Sequence, residues 1–232
     1  MIHAQTVSAI FCKQVKDVLK NTEVLILFII YPVVALVMTS AMSSTIGQEL
    51  FFVSIFGTMH CVFAPIVTTA TIISEEKEKN TLRALLMSSV NPLEYLLSIG
   101  GFILICTLVT GSSFIFIGGY SGIDAVKLLI FMSIGCILSI VLGMIIGVYA
   151  KNMMSANGIA VPLGVLFGFL PMLSAFNEPI KRIADFTFGQ QISNLIGNVN
   201  DVSAKGLIIL LVNLIIFMIA FFMVFRKNKL DE

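Results

Sequence analysis

The sequence is poor in the side chains with which most enzymes carry out chemistry. Only 12% of the 232 residues are charged, against about one quarter in average soluble proteins, and there are just two histidines. The Gly-x-x-x-x-Gly-Lys-Ser/Thr loop that binds nucleotide phosphates does not occur, and neither do the HExxH and GxSxG motifs. We therefore expect no catalytic residues and no ATPase site in this chain, and a polytopic membrane enzyme is the least favoured class.

The four cysteines indicate neither a metal site nor a disulfide framework. Cys12, Cys61, Cys106 and Cys136 show no CxxC or comparable spacing. Three of them fall in long apolar stretches, where a thiol acts as a small apolar side chain. We predict that this chain itself holds no metal and no cofactor.

Apolar residues are abundant. They make up 58% of the chain, and the mean hydropathy is +1.03. A helix needs roughly 20 apolar residues to cross the hydrocarbon core, and six such stretches occur, at approximately 24–42, 50–73, 95–118, 128–149, 157–176 and 207–225. Too few residues remain for a second folded unit. We predict an all-α polytopic membrane protein in which residues 1–232 form one domain with six transmembrane helices.

The distribution of lysine and arginine predicts the orientation of the chain, because cytoplasmic loops are enriched in both. One side would carry ten of them: Lys13, Lys16, Lys20, Lys77, Lys79, Arg83, Lys151, Arg226, Lys227 and Lys229. The other side would carry four: Lys127, Lys181, Arg182 and Lys205. We predict a multi-pass protein of the cell membrane with both termini in the cytoplasm, in contact with lipid and with no nucleic-acid partner.

Residues 5–20 have the pattern of an amphipathic helix. Apolar residues recur at spacings of three to four, at Val7, Phe11, Val15, Val18 and Leu19, while Lys13, Lys16, Asp17 and Lys20 fall on the other face. The pattern favours an N-terminal helix in the membrane interface, with its lysines toward anionic headgroups. The alternative is a simple cytoplasmic extension of the first span.

Small residues mark two helix-packing faces. Gly143 and Gly147 are four residues apart in the fourth span, and Gly164 and Gly168 are four apart in the fifth. Glycine at this spacing allows two helix backbones to approach closely. Internal packing is the safer interpretation, but the sequence does not decide between packing within one chain and packing between two.

One histidine lies well inside a predicted span. His60 is the only titratable candidate at that depth, where ion-coupled carriers keep their ion-binding groups. It could contact a substrate or relay a proton in the transport pathway. We favour a structural residue that is hydrogen-bonded to a neighbouring helix, because the sequence offers no second ionisable group beside it.

The stretch before the last span, from Asn177 to Ala204, contains two short apolar patterns that Gly189 separates. The first includes Ile180 and Ile183, and the second includes Ile192 and Ile196. We predict two short extracellular helices that lie on the outer leaflet or dip into it.

The most informative stretch is the charged segment after the second span. Within it, Glu76-Lys77-Glu78-Lys79-Asn80-Thr81-Leu82 resembles the Glu-x-Glu-x-Gly-Thr-Leu signature of ABC-2 type export permeases. The predicted topology also resembles that family, with cytoplasmic termini, an interfacial helix, six spans and a helical excursion before the sixth. The resemblance therefore extends over nearly the whole chain.

The resemblance implies a cytoplasmic coupling helix between spans two and three that seats in a groove of a separate ATPase. The residues assigned to this coupling are Glu75, Glu76, Glu78, Asn80, Thr81, Leu82, Leu85 and Leu86. A helix that begins near Glu75 would hold the three carboxylates in its first turn, where the helix dipole favours anions. The alternative is a solvated charged loop, which would not need the apolar strip that follows.

Three positions differ from the family pattern. Asn80 replaces the usual glycine, and asparagine can also adopt the left-handed conformation, although less freely. The proline that often follows the leucines is displaced to Pro92, and Ser98-Ile99-Gly100 stands where a lysine commonly opens the third span.

By the same resemblance, the chain would be the permease subunit of an exporter. It would pair with a second permease chain, identical or different, and with two copies of an ABC ATPase subunit that binds ATP and Mg²⁺. An amphiphilic, lipid-like or peptide substrate would suit the apolar spans. The alternatives are a secondary carrier or channel that works without an ATPase, and a non-transporting immunity or sensor protein of the same fold.

Overall fold

The computed structural model describes residues 4–46, 50–82 and 92–230, and within these ranges the chain forms helices and no strands. The helices are α1 (Ala4–Lys20), α2 (Thr22–Ile46), α3 (Phe51–Glu78), α4 (Pro92–Gly111), α5 (Ser113–Ile117), α6 (Ile123–Tyr149), α7 (Met153–Ser174), α8 (Glu178–Ala184), α9 (Phe188–Gly197) and α10 (Ala204–Leu230).

Six helical segments are long and apolar enough to cross a membrane, which confirms the six predicted spans. They are α2, α3, the α4 and α5 helices together as one span, α6, α7 and α10. Because the number of spans is even, α1 and the end of α10 lie on the same side of the bundle. We call this side the charged end, because α3 finishes there with the segment Glu75 to Lys79, and we call the side with α8 and α9 the opposite end.

The central helix of the bundle is α3. It packs against α2, α4, α6, α7 and α9, and 67% of its span is buried, compared with 22% for α2 and 11% for α10. Small side chains such as Cys61, Ala64 and Ala70 are fully buried on α3 and allow its neighbours to come close. A displacement of α3 therefore affects most of the bundle.

The predicted glycine faces both lie against α3. A Cβ atom at Gly143 would be 2.7 Å from Cβ of Thr69, and one at Gly147 would be 2.8 Å from Cβ of Ile73. A Cβ atom at Gly164 would be 2.9 Å from the ring of Phe63, whereas one at Gly168 would have an ordinary contact of 3.6 Å with Met59. The contacts of α6 and α7 at these glycines are therefore made within one chain.

The buried face of α1 covers protein. Ile10, Gln14 and Val18 are buried, and the ring of Phe11 packs edge-on against Phe102 of α4 with the ring centroids 5.7 Å apart. The apolar side that the sequence suggested for lipid thus packs in part on the bundle. The position of α1 relative to the membrane stays a prediction.

Both short helices expected before the last span are present, but Gly189 does not separate them: the break lies at residues 185–187, and Gly189 is in the first turn of α9. Asn177 caps α8 by accepting a hydrogen bond from the Ile180 amide, and Thr187 caps α9 by accepting one from Gln190. The α9 helix inserts between α3, α6 and α7, with Ile192 and Ile196 fully buried. It is therefore a buried helix at the opposite end, and its extracellular location stays a prediction.

Candidate functional site

The charged segment belongs to the end of α3, so the prediction that a helix begins near Glu75 is wrong. The α3 helix continues through Glu78, because Glu and Lys are good helix formers and neither glycine nor proline occurs between Ser74 and Lys79. Glu75, Glu76 and Glu78 therefore lie in a last turn, where the helix dipole disfavours carboxylates. Each of them needs a cation or an N–H donor close by, and the structure supplies one for each.

Glu76 joins α3 to α1. Its carboxylate accepts hydrogen bonds from Lys13 Nζ at 2.6 Å and Gln14 Nε2 at 2.8 Å, and its side chain is only 8% exposed. Charge-assisted hydrogen bonds of this length are the strong ones. The carboxylate that the sequence offered for docking a partner is thus already occupied inside the chain.

The same carboxylate also faces α4. The Tyr95 hydroxyl of α4 is buried and lies close enough to Glu76 to interact with it electrostatically. Glu76 is the point where α1, α3 and α4 meet.

Lys77 binds the end of α6. Its ammonium donates to the carbonyl oxygens of Val148 at 2.6 Å and Ala150 at 2.7 Å. The last carbonyls of a helix have no partner within the helix, and a cation there also complements the helix dipole. The residue after Glu76 therefore holds a different helix.

Glu78 binds the start of α7. Its Oε2 atom accepts a hydrogen bond from the backbone N–H of Met153 at 3.0 Å, and the Asn152 side chain accepts another from Ser155 at 2.8 Å. Together the two side chains satisfy amides that every helix N-terminus leaves free. Three consecutive residues of α3, from Glu76 to Glu78, thus contact α1, α6 and α7 in turn.

The remaining pair of the segment is local and exposed. Glu75 accepts a hydrogen bond from Lys79 Nζ at 2.5 Å, one helical turn away. Because its ammonium donates to this carboxylate, the pKa of Lys79 is raised. Exposed pairs of this kind contribute little to stability, so the contacts that fix the end of α3 to its neighbours are those of residues 76 to 78.

Asn80 turns the chain out of α3. It has a φ angle of +58°, the left-handed conformation, and it is the one non-glycine residue with a positive φ in the part of the chain that the structure describes. Asparagine tolerates this conformation better than most residues, as the family's glycine would. The Thr81 hydroxyl then donates to the Glu76 carbonyl at 3.1 Å, and Thr81 and Leu82 are helical again.

Several assigned residues lie around the rim of this site or beyond it. Leu82 packs at the edge of a core cluster that includes Tyr95, while Leu85 and Leu86 lie outside the described residues. Lys16 of α1 is exposed, and the side chain of Lys20 is not among those described.

Sequence reasoning missed the structural roles of Gln14 and Lys77. A signal for Gln14 exists in the sequence, because it lies at helical spacing between the apolar residues Ile10 and Val18. A lone polar residue on an apolar helix face predicts a buried hydrogen-bond partner. For Lys77 no such signal exists, because its partners are backbone carbonyls 71 and 73 residues away.

His60 lies away from the charged end, 16 residues before Glu76 on the same helix, which corresponds to about 24 Å. Its Nε2 atom is 3.0 Å from the Thr107 carbonyl and 3.1 Å from the Thr110 hydroxyl, and the rings of Phe28, Tyr31 and Phe114 surround it. The buried Nδ1 atom has no partner among the described residues. A neutral ring that donates from Nε2 fits this environment, since a charged ring would bury a second N–H without an acceptor.

The chemistry available at the charged end is the formation and exchange of ion pairs and helix caps. Within residues 4–46, 50–82 and 92–230, no group of His, Cys, Asp and Glu side chains is arranged to hold a metal ion. The site is therefore best described as a junction where the end of the central helix is fixed to its neighbours, immediately before the chain leaves the bundle.

Comparison with known proteins places this junction in a family. The family model for ABC-2 family transporter proteins matches residues 29–227, and a search of curated proteins gives no match. The matched range starts within α2 and ends within α10, so it contains the junction and nearly all of the six spans. With most of its length matched, the chain belongs to the ABC-2 family of transporter proteins, and it is a membrane permease component whose domain carries no ATPase site.

Proposed function

We propose that this chain is the permease subunit of an ATP-driven exporter, that its charged end faces the cytoplasm, and that a separate ABC ATPase binds the segment after α3. ABC-2 permeases generally pair with ABC ATPase subunits. In the proposed complex two permease chains, identical or different, bind two ATPase subunits that hold ATP and Mg²⁺.

The observation that carries this proposal is the branching of contacts at the end of α3. Glu76, Lys77 and Glu78 contact α1, α6 and α7, and the chain leaves α3 only two residues later, at Asn80. A force applied to Thr81 and Leu82 by an ATPase would therefore act on α3 and on three other helices together. Rigid elements joined by such contacts are a physical route for coupling between distant sites.

The proposed orientation is supported by the positions of the basic residues. The sequence predicts ten of the fourteen lysines and arginines on the side that carries both termini, and α1 is attached to the end of α3 through the Lys13–Glu76 pair. Loops rich in lysine and arginine remain in the cytoplasm during insertion. The ATPase, which needs cytoplasmic ATP, would thus find the junction on its own side of the membrane.

The proposed cargo is amphiphilic, lipid-like or a hydrophobic peptide. Many large apolar side chains are exposed along α2, α7 and α10, among them Leu36, Val165 and Ile216. Surfaces of this kind face lipid, a second permease chain or an apolar cargo.

A secondary carrier or channel is the main rival, and His60 would be its centre. Its neighbours are a carbonyl, a hydroxyl and aromatic rings, whereas intramembrane relays pair ionisable groups with one another. These surroundings favour a structural role. A non-transporting immunity or sensor protein would keep the same junction and would differ only in activity.

The test combines purification and transport. The tagged chain is isolated from its native membranes in mild detergent, ATP hydrolysis is measured, and the complex is reconstituted with a fluorescent phospholipid and a fluorescent hydrophobic peptide as probes. We expect an ABC ATPase to co-purify and at least one probe to move only with ATP. Glu78→Lys places a positive charge at the start of α7, so we expect transport per ATP hydrolysed to fall while the chain remains in the membrane.

The matched control is Lys205→Glu, a charge reversal at an exposed position of the opposite end, which should leave transport per ATP unchanged. Probe movement by the purified chain without nucleotide would establish the carrier or channel instead. If an ATPase co-purifies but ATP moves neither probe, the immunity or sensor role is favoured. Equal effects of Glu78→Lys and Lys205→Glu on transport per ATP would contradict coupling through the junction.

A further inference from the structure

The central helix α3 has a proline in the middle of its buried length. Pro65 has no N–H, so the carbonyl of Cys61, four residues earlier, cannot receive its usual hydrogen bond from the helix backbone. Cys61 is fully buried, so bulk water does not reach this carbonyl. Sharp bends in helices occur mostly at prolines, because the missing hydrogen bond lets the two halves tilt against each other. The turn around Pro65 is therefore the point where α3 bends most easily.

Two threonine hydroxyls directly after Pro65 lack partners. Thr68 and Thr69 are fully buried, and neither hydroxyl has a hydrogen-bond partner within the described part of the chain. Thr58 and Thr107 are buried to the same degree, and each donates to the carbonyl four residues earlier, at 2.7 and 2.8 Å. Thr39 of α2 is unpaired as well, but it is partly exposed. Because an unpaired buried hydroxyl costs free energy, a form of α3 that pairs Thr68 and Thr69 would remove this cost.

The half of α3 after Pro65 is packed tightly on one side and has space on the other. An added Cβ atom at Gly143 or Gly147 of α6 would be 2.7 or 2.8 Å from Cβ of Thr69 or Ile73. A cavity of about 710 Å³ also borders this half of α3, and Glu75 is among its lining residues. Glu75 follows Ile73 by two residues, which is about 200° around the helix. The cavity therefore lies opposite α6 and gives this half of α3 room to move.

We propose that Pro65 is a hinge and that α3 has a second, bent form besides the packed form in this structure. In the bent form, the half of α3 after Pro65 tilts away from α6 and into the cavity. Thr68 and Thr69 then donate to the carbonyls four residues earlier. Threonine hydroxyls that bond in this way bend helices, so the two new hydrogen bonds favour the tilt.

The contact with α6 and the hydrogen bond from Thr69 compete for the same place. An added Cβ atom at Gly143 would be 3.3 Å from the carbonyl oxygen of Pro65, which is the acceptor four residues before Thr69. In the packed form α6 therefore lies against this acceptor, and in the bent form the acceptor is open. One form has close packing on a glycine and the other has paired hydroxyls. Packed interfaces hold discrete arrangements of this kind rather than a continuum.

The two halves of α3 are attached to different helices. Before Pro65, the Ser54 hydroxyl donates to the Ser193 carbonyl of α9 at 2.7 Å, whereas residues 76–78 contact α1, α6 and α7. A tilt at Pro65 therefore moves the junction relative to α9 and withdraws Lys77 from α6. The hinge belongs to the permease chain alone, so it does not depend on the cargo or on the ATPase.

Pulsed electron paramagnetic resonance on the purified full chain in lipid nanodiscs tests the hinge. Nitroxides are attached to ketone-bearing residues that replace Lys79 and Lys151, which are exposed at the end of α3 and just after α6, so the native cysteines stay unmodified. Lys79 lies 14 residues beyond Pro65, which corresponds to about 21 Å. A tilt of about 20° at the proline would move the label by about 7 Å. We expect two distances between the labels that differ by about this amount.

Two variants should shift the populations in opposite directions. Gly143→Ala crowds the packed form and should favour the longer distance, whereas Gly158→Ala, with nothing within 4 Å of the added atom, should change neither population. Thr69→Val removes a hydroxyl that is paired only in the bent form, so it should shift the ratio of populations about fivefold toward the shorter distance. Thr58→Val, on the same helix before the hinge, is its matched control and should leave the ratio unchanged.

Replacement of the proline tests the hinge itself. Pro65→Ala restores the helical hydrogen bond to the Cys61 carbonyl, so only the shorter distance should remain, even when Gly143→Ala is added. A single distance that Thr69→Val, Gly143→Ala and Pro65→Ala all leave unchanged would overturn the proposal. So would a longer distance that persists in Pro65→Ala, or a shift of Thr69→Val and Gly143→Ala in the same direction.

Discussion

Glu76→Gln is the most direct perturbation of the junction, because it removes the charge and keeps the shape. Glutamine still offers an oxygen to Lys13 and Gln14. The change therefore removes the attraction between opposite charges at Lys13 and makes the hydrogen bond from Gln14 an ordinary one. The carboxylate is nearly buried, with 8% exposure, so water cannot replace the lost interaction at that end of the pair.

The magnitude follows from the two contacts. A hydrogen bond to a charged group contributes about 1.5–3 kcal/mol and an ordinary one about 1 kcal/mol. Lys13 is 40% exposed, so hydration of its ammonium recovers part of the difference. We expect the free energy of unfolding to fall by about 1.5 kcal/mol. For a chain of this length that corresponds to a decrease of about 3–6 °C in Tm.

The assay is thermal unfolding of the purified chain in detergent, with Glu75→Gln as the control one residue earlier. Glu75 pairs with Lys79 in an exposed contact, so its variant should change the unfolding free energy by less than about 0.5 kcal/mol. A double-mutant cycle of Glu76→Gln with Lys13→Met should give a coupling of about 1 kcal/mol. Equal losses for the two glutamate variants, or a coupling near zero, would refute the assignment of Glu76 to the junction.

Two further predictions concern the helices that pack on α3. Lys77→Met should lower the unfolding free energy by about 1–2 kcal/mol, because it removes the ammonium that donates to the Val148 and Ala150 carbonyls. Lys151→Met at a nearby exposed position should have little effect in the same assay. Gly143→Ala should cost about 1–3 kcal/mol, because its Cβ atom would lie 2.7 Å from Thr69 Cβ. Gly158→Ala, which has nothing within 4 Å of the added atom, should be neutral or stabilising, and equal effects would contradict close packing at Gly143.

The spans could be predicted from the sequence because one physical requirement determines them. Hydrocarbon requires a helix of fixed length with apolar side chains, and this requirement leaves an unambiguous pattern. The two short helices before the last span were predictable for a similar reason, since Asn177 and Thr187 are good helix caps before apolar periodic stretches. The left-handed conformation of Asn80 followed from the residue type that replaces glycine in the family signature.

The junction itself could not be predicted, because its partners are distant in the sequence. Glu76 binds a lysine 63 residues away, and Glu78 binds a backbone amide 75 residues away. A mixed run of charges on the sequence is typical of a solvated surface, and nothing within the run indicates which charge is buried. The end of α3 was predicted too early, near Glu75, for a related reason. A run of charged residues does not end a helix when each charged side chain has a hydrogen-bond partner.

The helical period explains how three adjacent residues can bind three different helices. Successive side chains on an α-helix point about 100° apart, so Glu76, Lys77 and Glu78 together span about 200° around the axis of α3. This spread of directions suits a central helix whose last turn contacts α1, α6 and α7. It also means that the junction responds to rotation: turning the end of α3 by one residue would direct all three charges away from their partners at once. A partner that binds the chain just beyond Asn80 and rotates the end of α3 would thus loosen or tighten its contacts with three helices together.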